Sequence, residues 1–230
     1  MTLNDKREEE TQIMARYGIL ADLNRCTGCM TCVIACKEEN LTPPRVWWQR
    51  ILEVESEPQD HIVYFRLACM HCDDPPCIPA CPEQAIYRNP DGIVLIDHEK
   101  CKGHGDCVKA CPYGVIDLNP DEGYFPEKTI QYQTAPENYR VHPPGKASKC
   151  TLCIHRIEQG KAPACVAACP SKVMVFGDLD DPQSPIQNKL SESLELLPSQ
   201  GAKPKSFYVI PGNLSKQIEQ RITDNPQMDR

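Results

Sequence analysis

Apolar and polar residues alternate with a period of two over five short stretches: residues 16–22 (RYGILAD), 61–67 (HIVYFRL), 92–97 (GIVLID), 115–118 and 173–176. That period predicts short strands, because successive side chains of a strand point to opposite faces. Short helices are expected to begin near Cys32, Cys77, Cys107 and Cys165, each too short to stand alone in water. Residues 119–149 are rich in Pro, Tyr and Gln, which predicts a long surface loop. From residue 178 onward the sequence turns polar and Pro-rich, with one helix expected over 190–197 and a frayed last dozen residues.

Composition changes the picture. The protein has 230 residues, of which 22 are proline and 15 are cysteine, well above average usage. Four Phe and two Trp are few for an aromatic core of this length, so something else must hold much of the fold together. The formal charge of −7 gives no footprint for nucleic acid. No apolar run approaches the ~20 residues needed to cross a bilayer. The first 24 residues mix charges and lack an apolar core, so no signal peptide is expected. Export or membrane attachment is therefore expected to come through a partner.

The cysteines fall into four groups: Cys26, Cys29, Cys32, Cys36; Cys69, Cys72, Cys77, Cys81; Cys101, Cys107, Cys111; and Cys150, Cys153, Cys165, Cys169. An odd count excludes a complete set of internal disulfides. The first group reads C-x2-C-x2-C-x3-C, the spacing of a ferredoxin-type [4Fe–4S] site, and the third follows the same ruler with His104 in the second slot. A tight loop lets three thiolates meet three iron corners, while the fourth cysteine opens a helix and reaches a neighbouring cluster. Proline follows Cys81, Cys111 and Cys169, where it can turn the backbone, and Lys37 follows Cys36. Structural zinc normally uses two separated cysteine pairs per metal, a poorer match. Spacing leaves open whether the motifs pair as first with second and third with fourth, or as an inner pair flanked by an outer one.

From residue 16 to about 185 the sequence resembles the four-cluster ferredoxin subunits of the molybdopterin oxidoreductases of the DMSO reductase type. The carrying stretches are RCTGCMTCVIACKEEN at 25–40, ACMHCDDPPCIPACPEQAI at 68–86, GIVLIDHEKCKGHGDCVKACPYGVI at 92–116 and KCTLCIHRIEQGKAPACVAACPSKVMVFGDLDDPQS at 149–184. The resemblance implies an α+β fold of two ferredoxin-like βαββαβ units with a loop-rich periphery and an extended C-terminal tail. Residues 1–60 with 119–177 would form the outer unit, 61–118 an inserted inner unit, and 178–230 a partner-binding tail. It also implies the ligand sets. Cys26, Cys29, Cys32 and Cys169 would hold the first cluster, and Cys36, Cys150, Cys153 and Cys165 the second. Cys69, Cys72, Cys77 and Cys111 would hold the third. Cys81, Cys101, Cys107 and whatever stands at His104 would hold the fourth. Single electrons would then pass between a molybdenum- or tungsten-pterin catalytic subunit and a quinone-reactive membrane subunit, a cytochrome or another redox partner, as in anaerobic respiration. Such a subunit is expected to be peripheral to a membrane complex, periplasmic through a co-exported partner or else cytoplasmic.

His104 departs from the family pattern, in which cysteine is common. Three outcomes stay open: imidazole ligation of a [4Fe–4S] cluster, a [3Fe–4S] cluster beside a free imidazole, or a [4Fe–4S] cluster with another ligand. Histidine in place of a thiolate removes a negative charge, so the fourth cluster is expected to have the highest potential of its pair.

Gly28, Gly103 and Gly105 read either as sites of close backbone approach or as plain turn glycines. Fifteen thiolates and four cores of about +2 would leave the loaded protein near −14 overall, which Lys149, Arg156 and Lys172 would offset locally unless they are solvated surface cations. Asp73, Asp74 and Glu83 are read as loop or capping residues, and Trp47 and Trp48 as an interface or core pair. His61, His71, His98, His142 and His155 form no metal motif. No phosphate loop, nucleophile constellation or nicotinamide fingerprint is present, so the protein carries electrons and does not transform substrate. Two other readings remain at this level: the polyferredoxin partner of a hydrogenase or tungsten aldehyde-oxidoreductase-type enzyme, and a zinc-stapled interaction protein.

Overall fold

A computed structural model describes residues 15–55, 62–120, 142–211 and 214–224. It is a mixed α and β structure of small sheets and short helices, as the sequence predicts at that level. The central strand is β1 (Tyr17–Asp22), whose apolar run is buried on both faces. Ile19 and Ala21 face the main core, while Leu20 packs with Leu179 and Ile186 on the other side. β1 pairs antiparallel with β8 (Met174–Asp178) and parallel with β9 (Ser206–Val209). The first and fourth cysteine motifs are thus tied by strand pairing, and their helices α1 (Thr31–Asn40) and α4 (Ala164–Ala168) pack together.

Three two-stranded ladders complete the β structure among the described residues. β2 (Gln49–Glu55) and β3 (Ile62–Ala68) form an antiparallel pair over their whole length. The sequence reading missed β2, although Leu52 and Val54 turn inward while Glu53 and Glu55 turn out. β4 (Ile86–Arg88) pairs with β5 (Val94–Ile96), and β6 (Asp117–Leu118) with β7 (Ala147–Ser148). Of the predicted strands, 92–97 and 115–118 shorten to β5 and β6, and His61 lies outside the described residues. The predicted loop at 119–149 lies mostly outside them too, but its end carries β7.

Helices begin one residue before three of the four predicted cysteines: α1, α2 (Asp106–Ala110) and α4; α3 (Ile154–Ile157) follows Cys153. No helix forms at Cys77. Three prolines, Pro75, Pro76 and Pro79, remove amide donors there, so separate turns replace a helical ladder. The helix expected over 190–197 is also absent. α5 (Gln187–Leu190) ends as that stretch begins, and Leu194 instead bridges to Tyr208. Pro198 disfavours helical backbone at Leu197, which takes a left-handed conformation at φ 51°.

The largest correction concerns the C-terminal stretch, which is structural rather than extended. β9 fills the second edge of β1, and Tyr208 is fully buried against Phe65 with ring centroids 4.7 Å apart. α6 (Ser215–Asp224) returns over β2 and buries Ile218 completely. Part of the stretch expected to fray is therefore helical. An open strand edge and an uncovered apolar face outweigh the local polarity of this segment.

Candidate metal centres

Each cysteine motif is shaped by the same backbone device. The residue before the second ligand slot is left-handed in all four: Gly28 (φ 66°), His71 (φ 46°), Gly103 (φ 77°) and Leu152 (φ 55°). A left-handed residue curls consecutive amides toward one centre, the arrangement that receives anionic groups. Gly28 and Gly103 are also sites of close approach. A methyl group on Gly28 would lie 2.6 Å from the Tyr64 ring, and one on Gly103 would lie 2.2 Å from the Gly145 carbonyl oxygen. Gly105 has no such crowding and is a turn glycine at φ 79°.

A second device follows the last cysteine of three motifs. After Cys81, Cys111 and Cys169 comes proline, then a left-handed residue at Gln84, Gly114 or Lys172 whose amide donates to the cysteine carbonyl. The next amide reaches the sulfur: Ala85 N to Cys81 Sγ at 3.4 Å and Val173 N to Cys169 Sγ at 3.4 Å. Cys36 lacks the proline, and α1 runs on to Asn40. There the Asn40 amide supplies the donors, at 3.7 Å to Cys36 Sγ and 3.8 Å to Cys153 Sγ. Leu152 N to Cys150 Sγ (3.3 Å) and Ala147 N to Cys101 Sγ (3.5 Å) extend the set.

All fifteen cysteines are unbridged, and most are buried. Their electrostatic neighbours define who sits beside whom. Cys26 couples to Cys169 and Cys29, and Cys32 to Cys165, Cys169 and Cys26. Cys36 couples to Cys150, Cys165 and Cys153. Cys72 couples to Cys69, Cys111 and Cys77, and Cys107 to Cys101 and Cys81. Two cavities have a wall of four thiols each. One is lined by Cys26, Cys29, Cys32 and Cys169 with Ile51 and Met174, the other by Cys69, Cys72, Cys77 and Cys111 with Met70 and Tyr113. Among the described residues no three His, Cys, Asp or Glu are gathered closely enough to hold a single metal ion. Thiols spread around a cavity suit a polynuclear group that offers each sulfur its own iron.

Burial pushes four of these thiols well up: Cys32 and Cys107 to about 11, Cys77 and Cys150 to about 12. Without metal these four are neutral at physiological pH, so iron binding must displace a proton from each. Cys29 shifts the other way. It is exposed, and the Thr31 hydroxyl and amide hold its thiol below the ordinary value.

His104 and Glu83 lie together on the surface, His104 Nε2 standing 3.0 Å from Glu83 Oε1. Glu83 is a loop residue, in the turn after Cys81, and a partner of His104. Asp73 and Asp74 do hold the loop: Asp73 binds Arg16 at 3.2 Å, and Asp74 binds Lys203 at 2.7 Å. Trp48 is a core residue that donates to Ser148 Oγ at 3.2 Å, whereas Trp47 is half-buried with the Lys37 ammonium 4.4 Å from its ring centre. Of the three cations near the fourth motif, Lys149 is buried and donates to the carbonyls of Val94 and Cys150. Arg156 pairs with Glu39 at 2.7 Å, and Lys172 is exposed. Sequence reasoning missed Asn40 and Arg66; Arg66 left a trace as the one cation inside an apolar strand.

A family model described as a 4Fe-4S dicluster domain matches residues 61–135 and 132–179. The protein is 37% identical to a putative dimethyl sulfoxide reductase iron–sulfur subunit of Halobacterium salinarum, over 92% of its own length and 88% of the relative. It is 35% identical to the arsenate respiratory reductase iron–sulfur subunit of a Shewanella species, over 84% of its length and 96% of the relative. It is 34% identical to one of the polysulfide reductase polypeptides of Wolinella succinogenes, over 84% and 94%. The protein described here belongs to the family of iron–sulfur electron-transfer subunits of the molybdopterin oxidoreductases. No helix among the described residues is long and apolar enough to cross a membrane.

Proposed function

We propose that the protein carries single electrons through four iron–sulfur clusters arranged in one line, between a molybdenum- or tungsten-pterin catalytic subunit and a membrane quinone-reactive subunit or another redox protein. The observation that carries this reading is the coupling between thiol groups. Cys32 of the first set neighbours Cys165 of the second, Cys150 of the second neighbours Cys69 of the third, and Cys77 of the third neighbours Cys107 of the fourth. The ligand sets are Cys26, Cys29, Cys32 and Cys169; Cys36, Cys150, Cys153 and Cys165; Cys69, Cys72, Cys77 and Cys111; and Cys81, Cys101, Cys107 with position 104. Strand pairing of β1 with β8 and packing of α1 on α4 support an outer unit of the first and fourth motifs. The shared apolar cluster of Cys77, Ile86, Val94, Cys101 and Cys107 supports an inner unit of the second and third.

Bound iron–sulfur clusters supply one-electron storage at potentials set by charge, hydrogen bonds to sulfur and exclusion of water. The polypeptide fixes these levers. Buried thiols exclude water, curled loops present amides to sulfur, and the β-ladders hold neighbouring sets at fixed separation. His104 has its Nε2 engaged by Glu83, which leaves Nδ1 as the nitrogen available for iron. The relative named as an arsenate respiratory reductase subunit supports a respiratory role, and a peripheral position on a membrane complex, periplasmic through a co-exported partner or else cytoplasmic, belongs to this reading.

Purification of the native complex tests the reading. Molybdenum or tungsten with pterin in the bound large subunit supports it. A hydrogenase metal centre, or a zinc-containing protein without iron, contradicts it.

A further inference from the structure

We infer that Arg66 is an electrostatic bridge between the first and second thiol sets, placed so that one buried cation favours the electron-rich state of both clusters. The inference rests on the ligand sets proposed above. Arg66 lies on β3 and is 2% exposed, in a strand otherwise built of apolar residues. Burying a guanidinium costs several kcal/mol unless other groups answer its charge. Its Nε donates to Gln49 Oε1 at 2.8 Å, a neutral acceptor, while its buried Nη1 has no hydrogen-bond partner. The side chain lines the same cavity as Cys26, Cys29, Cys32 and Cys169. The ionisable groups that bear most on it are Cys165, Tyr208, Cys150 and Cys32, three of them thiols drawn from both sets.

A buried cation that lines one thiol cavity and neighbours thiols of the next set has its counter-charge in the thiolates themselves. Reduction adds one negative charge to a cluster, and a fixed positive charge in a poorly polarisable interior favours that addition. The attraction acts on each cluster separately and so offsets part of the repulsion between an electron on one cluster and an electron on the next. The cations near the fourth set, Lys100, Lys102 and Lys109, are exposed and screened by solvent. The thiols that bear most on Arg66 belong to the first two sets, so its effect is strongest there.

The test is a dithionite titration of the native complex, followed by EPR, on wild type, Arg66→Met, Arg66→Gln and Arg66→Lys. In the neutral variants the reduction equilibria of the first two clusters should fall at least tenfold, which is 59 mV for a one-electron couple, while the fourth stays put. Arg66→Lys should recover more than half of the shift. Loaded neutral variants with unshifted potentials, or a uniform shift of all four clusters, overturn the inference. So does failure of both neutral variants to load clusters, which would assign the guanidinium to folding. A wild-type protein without four clusters overturns the underlying ligand reading instead.

Discussion

Asn40 donates through Nδ2 to the sulfur of Cys153, 113 residues further along the sequence, at 3.8 Å, and to Cys36 Sγ at 3.7 Å. One side-chain amide thus serves two sulfurs of the same proposed set, in the motif that lacks the turn-forming proline. Hydrogen bonds to sulfur favour the reduced cluster, since reduction loads charge onto sulfur. Asn40→Leu should lower the potential of that cluster by about 40 mV, the equivalent of a hydrogen bond of about 1 kcal/mol. EPR-monitored titration checks it, and an unchanged or raised potential contradicts it.

Gly103 and Gly105 make a paired test of loop geometry. Gly105→Ala meets only the left-handed backbone penalty and should cost about 1 kcal/mol. Gly103→Ala adds a collision with the Gly145 carbonyl, so the loop bearing Cys101 and His104 must move. The expected outcome is loss of the fourth cluster, read as a drop in bound iron and one missing EPR signal, while Gly105→Ala keeps all its iron.

The C-terminal stretch should behave as core. Ile218→Ala should destabilise the loaded protein by about 2–5 kcal/mol, the usual range for a buried isoleucine truncation. Thermal unfolding measures it; a neutral result would restore the reading of this stretch as a detached tail.

Asp22 gives the fold an acid-sensitive joint. Burial alone would raise its carboxyl, but hydrogen bonds from Lys189 Nζ at 2.5 Å and from Asn24 hold it below the ordinary value. A carboxyl depressed in the folded state contributes stability above its unfolded value of about 3.9, and loses it as pH falls through the folded value. Asp22→Asn should cost about 1 kcal/mol at pH 7, discounted for the half-exposed lysine. The gap between wild type and variant should close as pH falls below about 4, read from paired thermal scans.

Sequence revealed most where chemistry acts on neighbouring residues. The cysteine spacing marks four loops because each loop must wrap one group within a few residues, and the apolar stretch at 16–22 marks the strand β1, although the period-two reading did not foretell that both its faces are buried. It hid what depends on distant partners. β9 is four residues between Lys205 and Ile210, with prolines at 204 and 211, and it is a strand because β1 offers an edge. Arg66 in an apolar strand finds its meaning only once the thiols of Cys32 and Cys165, far apart in sequence, become its neighbours in the fold. The lost helix at Cys77 was legible in principle, since Pro79 has no amide to donate.

Iron and acid-labile sulfide, counted per polypeptide in the anaerobically purified complex, address the central claim directly. Four clusters require about 15 to 16 iron atoms with nearly matching sulfide, the spread depending on whether His104 completes a [4Fe–4S] site or leaves a [3Fe–4S] one. About eight iron atoms, or zinc in their place, would contradict a four-cluster relay.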